Sequence, residues 1–160
     1  MTTHKDLRGY TKGPWAWFGE AGTSSLYLAT VNRGRRFVMQ FARWGMRCAQ
    51  PRFQVDGRMV DASTLLTFEV CNAVGLDKAK ADPECYRLSI EGIDHPDARL
   101  IAAAPELLEA LKECADDLEV LVEDYYSKTK DYPSELRRYE RDIEPVRKAR
   151  AAISKALGSP

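Results

Sequence analysis

Histidine beside carboxylates is the first pattern in this sequence that could do chemistry. His95 stands between Asp94 and Asp97, and an imidazole near a carboxylate can act as a general acid or base near neutral pH. The same residues also suit the start of a helix, where acidic side chains meet unpaired backbone N–H groups. Because no nucleophile accompanies His95, we favour the helix start, place Asp94 at its N-cap, and predict no catalytic residue and no enzyme.

Two further patterns that could bind a ligand do not have the required spacing. The segment GEAGTS at 19–24 lacks the lysine and the spacing of a phosphate-binding loop, so a hairpin turn explains it better. The four cysteines, at 48, 71, 85 and 114, include no CxxC pair, which argues against a zinc site. The sequence therefore predicts neither a bound metal nor a cofactor.

A mixture of arginines and aromatic residues is the first candidate binding surface. Guanidinium groups can neutralise phosphates while aromatic rings stack on bases. Alternatively, the aromatic residues fill the core on one sheet face and the arginines line the other. We favour the core and keep nucleic acid as an alternative partner. The candidates are Arg35, Arg36, Arg43, Trp44, Arg47 and Arg52.

The second candidate surface is an acidic helix predicted over 105–125, which carries eight acidic side chains and one lysine. A row of carboxylates can imitate a phosphate backbone and occupy the nucleic-acid cleft of a host protein. A solvated helix face, partly neutralised by a neighbouring basic helix, is the alternative. The candidate partner-binding residues are Glu109, Glu113, Asp116 and Asp117.

Charge is unevenly distributed along the 160 residues, although the formal net charge is zero. The first sixty residues hold ten basic and three acidic side chains, and the remaining hundred hold 14 and 21. This asymmetry permits either a polarised surface or two halves that neutralise each other. The sequence has no apolar signal region and no long apolar run, so we expect a protein that does not enter a membrane. Its cysteines fit reduced thiols in a bacterial or host cytoplasm.

Period-two alternation predicts an antiparallel sheet of five or six strands in residues 14–92. The first five predicted strands lie at 15–18, 25–31, 35–43, 51–55 and 58–60, and a last one at 86–92. Residues 63–70 could be strand or helix, with strand preferred. Pro83 and the polar composition of 75–84 predict a loop there.

From Asp94 onward the apolar period becomes that of a helix. Pro105 predicts a break at 103–104 between a short helix over 95–103 and a long one. The long helix has one apolar seam, and a partner must cover it: Leu100, Ala104, Leu107, Leu111, Cys114, Leu118, Leu121 and Tyr125.

A second seam, in a helix that follows the polar segment 127–132, supplies that predicted partner. The two helices should form an antiparallel hairpin, with looser pairing or a kink near Pro145. The fold class is thus α+β: a flexible arm over 1–12, an α+β domain over 13–126, and a C-terminal helix over 127–160 that packs back. The second seam is Leu136, Tyr139, Ile143, Val146, Ile153 and Leu157.

Three sequence blocks resemble a widespread group of small bacteriophage and prophage proteins. They are GPW at 13–15, DARLIAAAPELLEALK at 97–112 and RRFVMQFARWGMRCAQPRF at 35–53, the last typical of one branch. The resemblance implies a phage accessory gene and carries no catalytic residue. Together with the small size, the absence of a catalytic set and the segregated charge, it leads us to expect a non-enzymatic, anti-CRISPR-like inhibitor that binds a host protein or ribonucleoprotein complex. A nucleic-acid-binding accessory protein is the alternative, and a self-associating structural protein the third. The sequence leaves the oligomeric state open.

Overall fold

A computed structural model describes residues 9–19, 26–32, 34–44, 48–129 and 132–158, without the side chains of 43, 44 and 48. The predicted α+β class is confirmed, since a five-stranded antiparallel sheet and a smaller sheet occur together with helices. The chain divides into two compact units, Met1–Ala102 and Ala103–Pro160. This division places both long helices in the second unit, whereas the sequence boundaries separate them at residue 126.

The five-stranded sheet has its strands in chain order, each antiparallel to the next. The turn predicted at Asp56-Gly57 joins the last two strands, and Asp56 and Gly57 both have positive φ. The predicted hairpin loop at 19–24 falls almost wholly outside the described residues. The strands are β1 (Trp15–Gly19), β2 (Leu26–Thr30), β3 (Phe37–Trp44), β4 (Cys48–Val55) and β5 (Arg58–Asp61).

The core of the first unit is built on the alternation of β4. Phe53 and Val55 point to the same side and are buried with Ala62, Leu65 and Ala98. Burial of a side chain as large as Phe53 contributes about 1.5–3 kcal/mol. Ala98 belongs to α2 (Pro96–Ala102), so this core packs the short helix on the sheet.

A second sheet of three strands occupies residues that were predicted as one strand, a loop and a final strand. It consists of β6 (Leu66–Phe68), β7 (Cys71–Val74) and β8 (Ile90–Ile93), in the order β7-β6-β8. The predicted strand at 86–92 is therefore wrong over most of its length. The loop predicted at 75–84 is also wrong, because α1 (Leu76–Ala81) forms there. Ala79 of this helix is fully buried and packs with Phe68. Burial of this one side of α1 suffices to hold a short polar helix.

The break predicted at Pro105 is confirmed. Helix α2 ends at Ala102 and α3 (Ala104–Tyr126) begins after Ala103. Pro105 lies in the first turn of α3, where the N–H that proline lacks would have no partner. Helix α4 (Pro133–Leu157) follows, and Gly158 ends it in the left-handed conformation.

Helices α3 and α4 pack on each other as the predicted hairpin, but α3 uses a different face from the predicted seam. Its buried residues are Ala115, Val122 and Tyr126, which lie one position after Cys114, Leu121 and Tyr125. The α4 seam is confirmed along its middle, because Ile143, Val146 and Ile153 are buried, whereas Leu136 and Leu157 at its ends are exposed. Moving by one residue turns the contact face by about 100° around a helix.

Pro145 lies inside α4, which runs without interruption from Pro133 to Leu157. Ile143 and Val146, on either side of it, are both buried against α3 residues. The packing predicted to be looser near Pro145 is therefore close at these two residues, and the alternative of a kink stays a prediction. Pro145 itself is exposed, so its ring lies on the solvent side of the helix and leaves the packed face intact.

Candidate protein interaction surface

The predicted seam of α3 is an exposed apolar stripe. It covers five turns of the helix and lies beside the face that contacts α4. The side chain of Leu121 is 66% exposed and that of Tyr125 is 77% exposed, so neither belongs to the core that α3 and α4 form in the described part of the second unit. We call this set the α3 stripe: Leu107, Leu111, Cys114, Leu118, Leu121 and Tyr125.

Carboxylates border the α3 stripe on the side away from α4. Each of them immediately precedes a stripe residue in the sequence, which places it on the adjacent flank of the helix. All four are exposed. None of them has an ion pair or hydrogen bond to another side chain among the described residues. We call this set the acidic rim: Glu106, Glu113, Asp117 and Asp124.

The four acidic residues predicted to bind a partner divide into two groups. Glu113 and Asp117 belong to the acidic rim. Glu109 instead pairs with Lys112 at 2.7 Å, and Asp116 accepts from Arg150 of α4 at 2.6 Å. Sequence reasoning missed Glu106 and Asp124 as rim residues, and it assigned the stripe to the interior.

Neutralisation of α3 by α4 is limited to one arginine within the described residues. Arg150 bridges Asp116 and Glu119, and these hydrogen bonds to two carboxylates raise its pKa. The other ion pairs of α4 are internal: Arg138–Glu135, Arg141–Asp142, Arg147–Glu140 and Lys148–Glu144. The acidic rim consequently keeps its negative charge.

The predicted basic surface is less coherent. Arg52 pairs with Asp61 at 2.6 Å and also donates to the carbonyl of Met59. The guanidinium of Arg35 lies 3.9 Å above the ring of Phe18. Arg36 is exposed. The side chains of Arg43 and Trp44, and all of Arg47, lie outside what the structure describes.

His95 and Asp97 serve as structural hydrogen-bonding groups. His95 immediately precedes α2, and its Nδ1 accepts the N–H of Asp97 at 3.2 Å, so His95 rather than Asp94 caps this helix. With Nδ1 accepting, Nε2–H donates to the carbonyl of Gln54 at 3.2 Å, and the ring stacks on Phe53. Asp94 instead pairs with Arg99.

Asp97 is 1% exposed and accepts two hydrogen bonds from Thr11, from the backbone N–H at 2.5 Å and from the hydroxyl at 2.7 Å. The indole N–H of Trp15 donates to the carbonyl of Thr11. Thr11 therefore links Trp15 of the GPW block to Asp97 of the DARLIAAAPELLEALK block. Thr11 belongs to the arm predicted over 1–12, whose residues 1–8 lie outside the described part of the chain.

A cleft of about 670 Å³ opens beside β5, β7 and α1. Asp61 on its wall is paired with Arg52, and the Thr64 hydroxyl donates to a backbone carbonyl. Asp77 and Lys78 add one charge of each sign. Within the described residues, His, Cys, Asp and Glu side chains form no group of three that could hold a metal ion. These polar groups mainly support the local fold.

Thiol reactivity is low at Cys85. A hydrogen bond with Cys71 and burial raise the pKa of Cys85 to about 11, so this thiol stays protonated near neutral pH. A protonated thiol is a poor nucleophile. Cys71 and Cys85 pack beside Phe68 and Ala79, which suits a structural role.

Comparison with protein families finds one match that covers the whole chain. A family model described as Salmonella phage P22 protein Y8K6 matches residues 1–160. No curated protein and no solved structure matches. No helix among the described residues is both long and apolar enough to cross a membrane.

Proposed function

Because the chain belongs to the family of Salmonella phage P22 protein Y8K6, we propose that it is a phage-encoded interaction protein that binds and inhibits a protein complex of the bacterial host. It acts by occupying a surface, without chemistry of its own. The target we propose is a defence complex of the host cytoplasm, such as a CRISPR effector. This makes the protein anti-CRISPR-like.

The observation that carries this proposal is the α3 stripe with its acidic rim. Contiguous apolar side chains that remain exposed and are bordered by charge are typical of protein interaction sites. An amphipathic helix is also one of the recurring elements through which proteins recognise each other. The stripe lies on a helix already held by α4, so little further ordering of the backbone is needed on binding.

Charge supports a nucleic-acid-binding complex as the target. The acidic rim presents four exposed carboxylates from Glu106 to Asp124 along about 27 Å of α3. An effector that binds nucleic acid presents a basic surface to the phosphates, and the acidic rim competes for that surface.

A plating experiment tests this function. Phage lacking the gene is compared with its parent on a host that carries an active CRISPR system directed at that phage, and on an otherwise identical host without the system. We expect the deletion to lower plating efficiency only on the defended host, and a plasmid copy of the gene to restore it. Equal plating of both phages on the defended host contradicts inhibition of that system.

A variant links the function to the surface. Asp117→Lys combined with Asp124→Lys reverses charge at two exposed positions of the acidic rim and should fail to restore plating. Glu140→Lys with Glu144→Lys, which changes the same charge on α4, is the matched control and should restore it. Restoration by both variants would show that the acidic rim takes no part.

A further inference from the structure

We infer that the segment bound by the α3 stripe is a basic amphipathic helix of the partner protein. This inference rests on the proposed function and specifies the part of the partner that is recognised. Such a helix would place apolar side chains on the stripe and Lys or Arg side chains against the acidic rim. The stripe and the rim are adjacent faces of α3, so one helix can contact both.

The width of the apolar arc on α3 points to a second helical neighbour. Leu108, Ala115 and Val122 follow stripe residues by one position, and Ala115 and Val122 are buried. The stripe and this face together occupy three positions of each heptad, the arc typical of a helix with two helical neighbours in a bundle. Helix α4 covers one side of that arc, and the stripe is the side left for another helix.

The spacing of the stripe favours a helix as the bound element. Its residues are separated alternately by four and three positions from Leu107 to Tyr125. They form a row about 27 Å long that winds slowly around α3, which matches the row of apolar side chains on a helix of similar length. A strand or a nucleic acid backbone would leave much of this apolar row in water.

Charge favours a partner helix over a second copy of this chain. Two copies that met through their stripes with their α3 helices antiparallel would bring two acidic rims together, and like charges across an interface cost free energy. Asp117 and Asp124 immediately precede the stripe residues Leu118 and Tyr125, the positions that flank a helical interface. Lysines or arginines in the partner at those positions would form opposite-charge contacts.

Titration with synthetic peptides tests this inference on the full chain. The probe is a helical peptide with leucines at heptad positions a and d and lysines at e and g. The matched peptide carries glutamates in place of the lysines. Binding is followed by fluorescence anisotropy and by amide shifts in NMR spectra. We expect the lysine peptide to bind at least about tenfold more tightly, less tightly at high salt, and to shift amides of α3.

Two substitutions with the same change in charge locate the bound peptide. Leu121→Asp alters a stripe residue that is 66% exposed, and Val120→Asp alters its neighbour, which is 68% exposed and lies off the stripe. Leu121→Asp should weaken binding by about tenfold or more, and Val120→Asp should change it little. Equal effects of the two substitutions, or amide shifts confined to residues outside α3, would overturn the inference. So would equal binding of the two peptides.

The plating and peptide experiments fail independently. A chain that binds the lysine peptide at its stripe but does not protect phage leaves the inference standing and removes the defence function. A chain that protects phage equally well with Leu121→Asp keeps the function and removes the stripe as its binding site. Dimerisation through the stripe at neutral pH and low ionic strength, measured by light scattering and abolished by Leu121→Asp, would overturn the partner helix in favour of a second copy.

Discussion

The side chain of Asp97 links two segments that lie 86 residues apart in the chain. It is buried, and both its oxygens accept hydrogen bonds from Thr11. A carboxylate that loses contact with water must be compensated in this way. Asp97 therefore has a structural role. Its backbone N–H donates to Nδ1 of His95, which explains why the two residues lie so close together in the sequence.

We predict that Asp97→Asn destabilises the fold by about 1.5–3 kcal/mol, because an amide can accept only one of the two hydrogen bonds from Thr11. Asp94→Asn is the control. It disrupts an exposed pair with Arg99 and should cost less than about 1 kcal/mol. Urea unfolding measures both values, and equal losses would show that the bonds to Thr11 contribute little.

Gly75 should be the least replaceable of the glycines in the described turns. Its φ is +94°, and an added Cβ would lie 2.8 Å from the carbonyl oxygen of Thr64. Gly57 has a φ of +78° and open space around it. We expect Gly57→Ala to cost about 1–2 kcal/mol for its backbone conformation, and Gly75→Ala to cost about 1–3 kcal/mol more. Similar unfolding free energies for the two variants would contradict the clash.

At the scale of elements, the α3–α4 hairpin combines a small apolar core with polar contacts across it. Val122, Tyr126, Ile143 and Val146 form that core. The Tyr126 hydroxyl donates to Asp142 at 2.8 Å, and Tyr139 donates to Glu123 at 2.5 Å. Hydrogen bonds of this kind fix which side chains face each other, because they form in one register only.

The stability of the hairpin should fall in acid. Hydrogen bonds from Arg141 and from Tyr126 lower the pKa of Asp142 below its ordinary value of 3.8. The contribution of Asp142 is therefore complete above pH 3.8 and is lost as the pH falls through the lowered value. The thermal midpoint of Asp142→Asn, followed by circular dichroism, should lie below that of the parent at neutral pH and approach it in acid.

Asp124→Asn is the control for this pH dependence, since the carboxylate of Asp124 has no hydrogen-bond partner among the described residues. Its difference from the parent should be small at every pH. A difference between Asp142→Asn and the parent that persists unchanged into acid would contradict the role of the carboxylate.

Tyr126 should affect stability at high pH instead. Its hydrogen bond to Asp142 raises the pKa of its hydroxyl above the ordinary value of 10. The stability that this bond contributes is therefore lost in alkali, as the pH rises through the raised pKa.

Pro145→Ala should stabilise α4. The proline removes one helical hydrogen bond and sets its ring against the preceding turn, at a cost of about 3 kcal/mol in an ideal helix. The side chain is exposed, so alanine should recover part of that cost without disturbing Ile143 or Val146. A higher thermal midpoint is the expected result. A lower midpoint would mean that the proline contributes to packing.

At the scale of the whole molecule, the sequence predicted the parts that depend on local pattern. The alternation around Phe53 and the turn at Asp56-Gly57 located β4 and β5, and Pro105 located the start of α3. Helix α1 was missed because its sequence LDKAKA has almost no apolar period. It is held by the burial of Ala79 against Phe68, a contact that only the tertiary structure supplies.

The candidate surface was predicted only in part, for a reason of geometry. The heptad spacing identified the apolar arc of α3 correctly, but it cannot tell which flank of that arc faces α4. The small side chain of Ala115 and the pair Tyr126–Asp142 decide that question. Glu113 and Asp117 were therefore found as candidates, whereas Leu121 and Tyr125 were assigned to the interior.

Self-association should depend on salt in a way that reflects the acidic rim. At neutral pH and low ionic strength we expect a monomer, because the rims of two copies repel each other. High salt shortens the range of that repulsion from about 10 Å to about 3 Å between 0.1 M and 1 M and should promote dimers through the stripe. Light scattering at the two salt concentrations measures this, with Leu118→Ser as the variant that should stay monomeric.

A dimer at low salt that dissociates at high salt would contradict this prediction, since it would indicate attraction between charges at the interface.

The bond between Thr11 and Asp97 also affects the order of events during synthesis on the ribosome. Strands β1 to β5 can pair as soon as they emerge, since each contacts its neighbour in the chain. Thr11 is made before β1, but its carboxylate partner leaves the ribosome only after the whole five-stranded sheet. Thr11 is therefore secured late, and a nascent chain cut short before Asp97 would leave it open to proteases.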